Sequence, residues 1–469
     1  MNTNTLSGTR QPRLTQAGRQ PAVNHPADHA VVLGAGIGGL TAARVLADHY
    51  AHVTVIERDA LPATTAARRG VPQGSHMHGL VAHGADLLEG LLPGLRTDLI
   101  SAGAAHAELL SDFRVSYFGS VLAQVPMGLS LVLSSRPFLE GQLRQRVAAL
   151  PNVSITDATE AVQLRHAHRD QRITGVMLAP VHGTGSPQLM EADLVVDATG
   201  RAGRSATWLG ELGYPRPAET KVRVDVAYAS RHYRMRPGAM PRDKVTLVGP
   251  QPHRPRGISL VAQENGLWVM SLYGYGKENH PPTEQAGFGV FARQIAPPDA
   301  WSAVAQAEPV DGISGYKFPA TIQRHYHKDR RLPDGLVVLG EGIGSSNPIY
   351  GTGMTAAITQ AVILGEVASE RPGSLPRSYY HRVNQRLRMA WLFSNAADKA
   401  MPDVPGIPKS LKSVMAKYYA RVMAAGATDP EIAEAVIRII DMTNSPLELL
   451  KPRYVRPILK PAHGHAVTA

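Results

Sequence analysis

Gly34, Gly36 and Gly39 stand in G-x-G-x-x-G spacing within Gly34-Ala35-Gly36-Ile37-Gly38-Gly39. In that pattern the first glycine permits a tight turn and the second lets backbone approach a pyrophosphate. The third lets a helix pack closely on a strand. Glu57 follows 18 residues after Gly39. A carboxylate there can accept bonds from the hydroxyls of an adenosine ribose, which disfavours a 2′-phosphate and leaves NAD or FAD. Two later segments have related chemistry. Asp197-Ala198-Thr199-Gly200-Arg201 closes an apolar run, and Leu339-Gly340-Glu341 precedes Asn347-Pro348-Ile349-Tyr350-Gly351-Thr352-Gly353-Met354. In the second, a carboxylate leads into small residues that end in exposed amides at a helix start, where partial negative charge is stabilised.

The elements around these residues are legible from pattern. Ala30–Leu33 and Val53–Ile56 are short apolar runs of the kind buried on both faces of a parallel sheet. A helix over 40–49 lies between them, giving a βαβ unit. The spacing predicts helices over 83–92, 137–150 and 354–367, strands within 113–134, and buried strands at Leu194–Asp197 and Leu336–Leu339. Residues 60–80 read as irregular. Residues 216–324 alternate apolar and polar residues between many prolines, which suits a mainly antiparallel sheet. Beyond 375 three helices are expected. One carries Val383, Leu387, Ala390 and Trp391 on a face, and a second carries Leu411, Val414, Met415, Tyr418 and Val422. The third is capped by Asp429-Pro430 and carries Ile432, Val436, Ile439 and Ile440.

The 469 residues are 43% hydrophobic and contain no cysteine, which excludes disorder, a disulfide framework and a thiol nucleophile. The net charge of +11 is concentrated at the ends. Arg10, Arg13 and Arg19 face only Asp28 in residues 1–28, and 15 Lys or Arg face 7 Asp or Glu after residue 370. The body between is nearly neutral, so a nucleic-acid groove is not expected. No run reaches the ~18 apolar residues of a membrane span, and no secretory signal is read, so a cytoplasmic protein is expected. His76 and His78 lack a nearby third ligand, and no metal site is expected.

The segments VVLGAGIGGLTAARVLA, Glu57-Arg58-Asp59, Gly70 to Gly79 (GVPQGSHMHG), Ser135-Arg136, DATGR with Ser205, and LGEGIGSSNPIYGTGM occur in that order. Together they resemble FAD-dependent monooxygenases of the para-hydroxybenzoate hydroxylase fold, and most of all actinobacterial flavin epoxidases and hydroxylases of polyketide, polyether and terpenoid pathways. The resemblance implies an α/β fold with a Rossmann-like FAD-binding domain, an inserted mainly antiparallel β-sheet domain and a C-terminal helical region. It divides the chain into a flexible tail (1–28), an FAD-binding domain (29–112, 131–215 and 325–370), a substrate-binding sheet (113–130 and 216–324) and helices (371–460). Gly34, Gly36, Ile37, Gly38, Gly39, Glu57 and Arg58 would hold the adenosine half of FAD. Arg136 would lie along the pyrophosphate or ribityl chain. Glu341, where the family usually has Asp, would bind ribityl hydroxyls, and Pro348, Gly351, Thr352, Gly353 and Met354 would lie against the ring.

The implied activity is insertion of one oxygen atom from O2 into a lipophilic secondary-metabolite intermediate through a flavin C4a-hydroperoxide. Electrons would come from NAD(P)H directly or through a separate reductase, since no second dinucleotide motif follows a strand. His76, His78 and Tyr273 are the catalytic candidates. Tyr228, Tyr233, Tyr273, Tyr275 and Phe318 are candidates for the pocket lining. The alternatives are a non-redox cyclase scaffolded on FAD and a flavin-dependent alkene reductase. A halogenase is disfavoured, because the four tryptophans form no W-x-W motif. The expected protein is a monomer or homodimer with a small-molecule substrate and no nucleic-acid partner.

Overall fold

The computed structural model describes residues 28–460 apart from 63, 64, 66, 69, 183 and 184, so all of the expected tail except Asp28 lies outside the described residues. Five parallel strands form the first sheet, in the order Leu336–Val338, Leu194–Asp197, His29–Leu33, His52–Ile56 and Val153–Thr156. The apolar runs are buried on both faces, because helices cover one face and an antiparallel three-stranded sheet (Thr159–Ala167, Arg172–Pro180, Gln188–Glu191) covers the other, with its Leu164, Ile173 and Val176 in the same core. Helix Ile37–Leu46 packs against helix Gly353–Glu370, joining Leu40, Val45, Ile358 and Leu364 to the same core as the strands.

A second sheet runs in the order Gly344–Ser345, Ser314–Arg324, Glu219–Arg234, Leu267–Tyr275, Arg256–Ala262, Val245–Val248, Phe113–Tyr117 and Ser120–Val121, with Glu308–Pro309 added beside Glu219–Arg234. Its pairs are antiparallel except Val245–Val248 with Phe113–Tyr117, which run parallel. Ser130–Leu133 instead pairs with Ala105–Glu108 in a separate ribbon, so the strands expected within 113–134 divide between two sheets.

Two expectations are corrected. The 216–324 stretch holds helices Gln285–Arg293 and Pro298–Ala305 as well as strands. Glu284 caps the first by accepting the Gly287 N–H, and Phe288, Phe291 and Ala292 are buried against Met270 and Leu272 of the sheet. The apolar stripe on helix Lys409–Gly426 is buried only toward its end. Val422 is 3% exposed, whereas Leu411 and Val414 are 45% and 61% exposed. The first half of that helix is held instead by Lys412, whose Nζ donates to the Met401, Pro402 and Val404 carbonyls. Helix Pro430–Ile440 follows the expected cap, with the Asp429 carboxylate accepting the Glu431 and Ile432 N–H groups at 2.9 and 3.4 Å. No helix among the described residues is long and apolar enough to cross a membrane.

Candidate active site

The glycine turn joins strand His29–Leu33 to helix Ile37–Leu46. Gly34 has φ +98°, and its N–H donates to the Ile56 carbonyl at 2.7 Å. A Cβ on Gly39 would fall 1.8 Å from the Gly34 carbonyl oxygen, so only glycine permits this approach of helix to strand. No side chain caps the helix start at Gly36. The Ile37 and Gly38 amides find no acceptor among the described residues. They face a cleft of about 340 Å³ that runs from Glu57, past Arg136 and Glu341, to Gly351, Gly353 and Met354. Free amides at the positive end of a helix fit an anionic pyrophosphate.

Glu57 sits in a cluster that the sequence does not announce. Its Oε2 accepts the Ala35 N–H at 2.8 Å and pairs with Arg68 Nη1 at 3.0 Å, while its Oε1 accepts the Asp59 N–H at 2.9 Å. Arg68 also reaches Asp59 at 3.1 Å and Glu140 at 2.7 Å, and Arg136 meets Glu140 at 3.3 Å. A Cβ on Gly36 would lie 3.6 Å from Arg136 Nη2 and 3.9 Å from Arg68 Nη2. Two guanidinium groups therefore flank the glycine turn, held there by the buried carboxylates of Glu57 and Glu140 and the half-buried one of Asp59. Arg58 is exposed at the rim of the same cleft.

Further along the cleft, the Glu341 carboxylate accepts no hydrogen bond from the described residues. Burial pushes its pKa up, against the opposing pull of Arg201 and Arg136. A half-buried carboxylate without donors, placed midway along the cleft, fits a group bearing several hydroxyls. The free helix-start amides, the flanking guanidinium groups and this carboxylate together fit a dinucleotide carrying a polyol, as FAD does. Asp197 does not line the cleft. Its carboxylate accepts the Thr199 N–H at 3.0 Å and the Ser205 hydroxyl, and shapes the DATGR turn.

Behind the cleft lies a mostly apolar chamber of about 200 Å³, walled by Leu109, Phe113, Leu131, Val245, Leu247 and Ile437 among others. Gln73, Met77, His78, Gly79, Pro348 and Gly351 line both spaces. His76, Tyr228, Tyr273, Tyr316 and Asp441 also face the chamber. His76 Nδ1 lies 2.7 Å from the Ser230 hydroxyl. His78 Nδ1 donates to the His76 carbonyl at 2.9 Å. Burial, assisted by His232, lowers the His76 pKa to about 4. Burial, assisted by Arg136, lowers that of His78 to about 3, so both rings are neutral at pH 7. The Tyr273 hydroxyl lies 3.3 Å from the Val248 and Ile258 carbonyls of its own sheet.

The loop between the two spaces is anchored from the C-terminal helices. Fully buried Asp398, on helix Leu375–Ala400, accepts from Tyr275 at 2.8 Å, Tyr350 at 2.9 Å and Asn347 Nδ2 at 2.8 Å. Tyr228 in turn donates to Asn347 Oδ1 at 2.7 Å.

Of the residues singled out in sequence, Gly34, Gly36, Ile37, Gly38, Glu57, Arg58, Arg136, Glu341, Pro348, Gly351, Gly353 and Met354 line the one cleft. Gly39 is buried beneath the turn, and Thr352 faces the chamber. Tyr228 and Tyr273 face the chamber, whereas Tyr233, Tyr275 and Phe318 are buried within the sheet's own clusters. The sequence reading missed Arg68, Asp398 and Asp441, and it quoted Asn347 within a motif without assigning it a role. It also missed Glu140, although its spacing of four residues from Arg136 on a helix was a usable signal.

Residues 32–90 match the family model described as an NAD(P)-binding Rossmann-like domain. The flavin-dependent brominase Bmp2 superposes with a TM-score of 0.65 at 13% identity, covering 91% of this chain and 97% of that one. The p-nitrophenol 4-monooxygenase PnpA from Pseudomonas putida gives 0.62 at 16% identity, over 90% and 100% of the two chains. The Diels-Alderase PyrE3 of pyrroindomycin biosynthesis gives 0.59 at 18% identity, over 89% and 81%. These likenesses establish the fold as that of flavin-dependent monooxygenases and their structural relatives. Protein Rv3254 of Mycobacterium tuberculosis is 34% identical over 438 residues, which are 90% of this chain and 91% of its own. On that extent of shared sequence, the chain belongs to the family of Protein Rv3254.

Proposed function

We propose that the chain is an FAD-dependent monooxygenase that acts on a lipophilic small molecule, an epoxidase or hydroxylase of a polyketide-, polyene- or terpenoid-like compound. The observation that carries this reading is the junction of the two spaces. A polar cleft with dinucleotide chemistry adjoins a mostly apolar chamber, the two sharing Gln73, Met77, His78, Gly79, Pro348 and Gly351 in their linings. FAD, when bound, supplies the activation of dioxygen. The chain's residues bind and orient. The Ile37 and Gly38 amides and Arg136 hold the pyrophosphate, Glu57 takes the adenosine ribose, and Glu341 takes ribityl hydroxyls. The amides at Gly353 and Met354 lie at the positive end of a helix that faces the ring site. The chamber walls exclude water from the reacting centre. No acid–base pair is required for transfer of oxygen to an alkene.

The test is to add NADH or NADPH to the purified FAD-loaded protein in air, with chemically reduced protein as a second arm. Under 18O2, a panel of polyenes is expected to gain one labelled oxygen atom in at least one arm. Failure of both arms to yield any oxygenated product would sink the reading. A second reading is favoured by Glu341, one methylene longer than the family's usual Asp, together with the fold shared with a Diels-Alderase. It is a cyclase in which FAD serves as a scaffold. Conversion of a polyene without oxygen or reductant would distinguish it.

A further inference from the structure

We propose that His76 presents its Nε2–H to the chamber as a fixed hydrogen-bond donor, so that the substrate carries an oxygen acceptor such as a carbonyl within an otherwise apolar frame. The proposal rests on the monooxygenase reading, of whose substrate it names the class.

The argument begins at a donor whose direction cannot be reversed. The Met77 amide N–H donates to Ser271 Oγ at 3.0 Å. Ser271 Oγ lies 2.6 Å from Ser230 Oγ, which lies 2.7 Å from His76 Nδ1. Ser230 and Ser271 are 1% and 3% exposed, and although Ser271 borders the chamber, little of it is open to water. Each hydroxyl has one proton to give. If Nδ1 carried the ring proton, it would donate to Ser230, and Ser230 would donate to Ser271. The Ser271 proton would then meet no acceptor among the described residues. In the opposite sense every serine proton is used, and the ring proton moves to Nε2, which is not sealed away but opens on the chamber. Met77 donates to Ser271, Ser271 to Ser230, and Ser230 to Nδ1. Leaving a buried donor unmet disfavours the first sense by a factor of roughly ten or more.

With Nδ1 an acceptor, the neutral ring carries its proton on Nε2. Nε2 has no partner among the described residues. The ring lies beside Tyr228 and Tyr316, at centroid distances of 6.4 and 5.7 Å, on the chamber wall. The adjacent His78 is set the other way. Its Nδ1–H is used on the His76 carbonyl, which leaves Nε2 an acceptor at the boundary with the cleft.

Two measurements on the FAD-loaded full chain test this. The first is long-range proton–nitrogen NMR of protein labelled with 15N-histidine, with His76 assigned by its loss in His76→Gln. Protonated Nε2 and bare Nδ1 are expected. Ser230→Ala is expected to release the preference and populate both tautomers, and Ser230→Thr to restore it. A protonated Nδ1 in the unaltered chain would overturn the proposal. The second compares 2-acetylnaphthalene with 2-isopropylnaphthalene as ligands, read by tryptophan fluorescence. The ketone is expected to bind about tenfold more tightly, with the preference lost in His76→Phe. Equal binding of the pair by the unaltered chain would also overturn it. Failure to bind FAD would remove the monooxygenase reading and leave the tautomer result standing.

Discussion

Single residues in the chamber set how the protein responds to pH. Asp441 is 3% exposed on the chamber wall and accepts the His83 N–H at 2.9 Å. Burial is the main cause that pushes its carboxyl up to about 6 from 3.8, against the hydrogen bond from His83. Between those values the folded chain binds a proton that the unfolded chain has released. Stability therefore falls as pH rises through that window. Asp441→Asn keeps the shape and removes the charge. It is expected to add about 2 kcal/mol at pH 8 and little near pH 4, read as urea midpoints across a pH series. His76 and His78 contribute no charge at neutral pH, so activity is not expected to follow a histidine titration near 6.5. Legibility at this scale followed sequence distance. Glu57 and Glu341 stood in local patterns, and the cleft contains both. Asp398 lies 51 residues from Asn347, which it holds, and no local signal marks such a pair. Arg68 sat in a stretch read as irregular, where only the fold brings it to Glu57.

Elements position the site through their ends and their buried faces. Strand His29–Leu33 and helix Ile37–Leu46 meet at a turn that only glycines allow, which is why the motif was readable. The 347–353 loop is different. It has no regular structure of its own beyond the short turn Pro348–Tyr350, and its hold comes from helix Leu375–Ala400 through Asp398. Asp398→Ala would remove the acceptor shared by Tyr275, Tyr350, Asn347 and, at 3.3 Å, Thr321, and is expected to cost about 3 kcal/mol of stability. FAD affinity is expected to fall with it, because the same loop borders the cleft. Chemical denaturation and flavin titration of the variant read the two effects. Asp429→Ala, which removes only a cap distant from the cleft, is expected to cost about 1 kcal/mol with FAD affinity unchanged. Periodicity foretold the helices beyond 375 but not which faces would find partners. It therefore placed Leu411 and Val414 inside, where the structure leaves them exposed. The two helices within 216–324 were hidden because Phe288, Phe291 and Ala292 sit among prolines that read as strand punctuation.

Across the whole molecule, two sheets meet at the junction of cleft and chamber, and the C-terminal helices close the far wall with Ile437, Ile440 and Asp441. The fold class was legible because the parallel core announces itself as short apolar runs at glycine turns. The packing of the last hundred residues was not, since it depends on contacts distant in sequence. The positive charge of those residues lies outside the nearly neutral body. FAD binding only to the folded state is expected to raise stability by about 2.7 kcal/mol at a hundredfold excess over Kd, a shift of a few degrees in Tm. The most direct measurement is a titration of the deflavinated chain with FAD and, separately, with FMN, followed by flavin fluorescence. On the proposed reading, Glu57, Arg68 and the Gly36 turn would address the adenosine half that FMN lacks. One FAD per chain is therefore predicted to bind saturably, with FMN at least a hundredfold weaker. Equal binding of the two, or no saturable binding of FAD, would contradict the account.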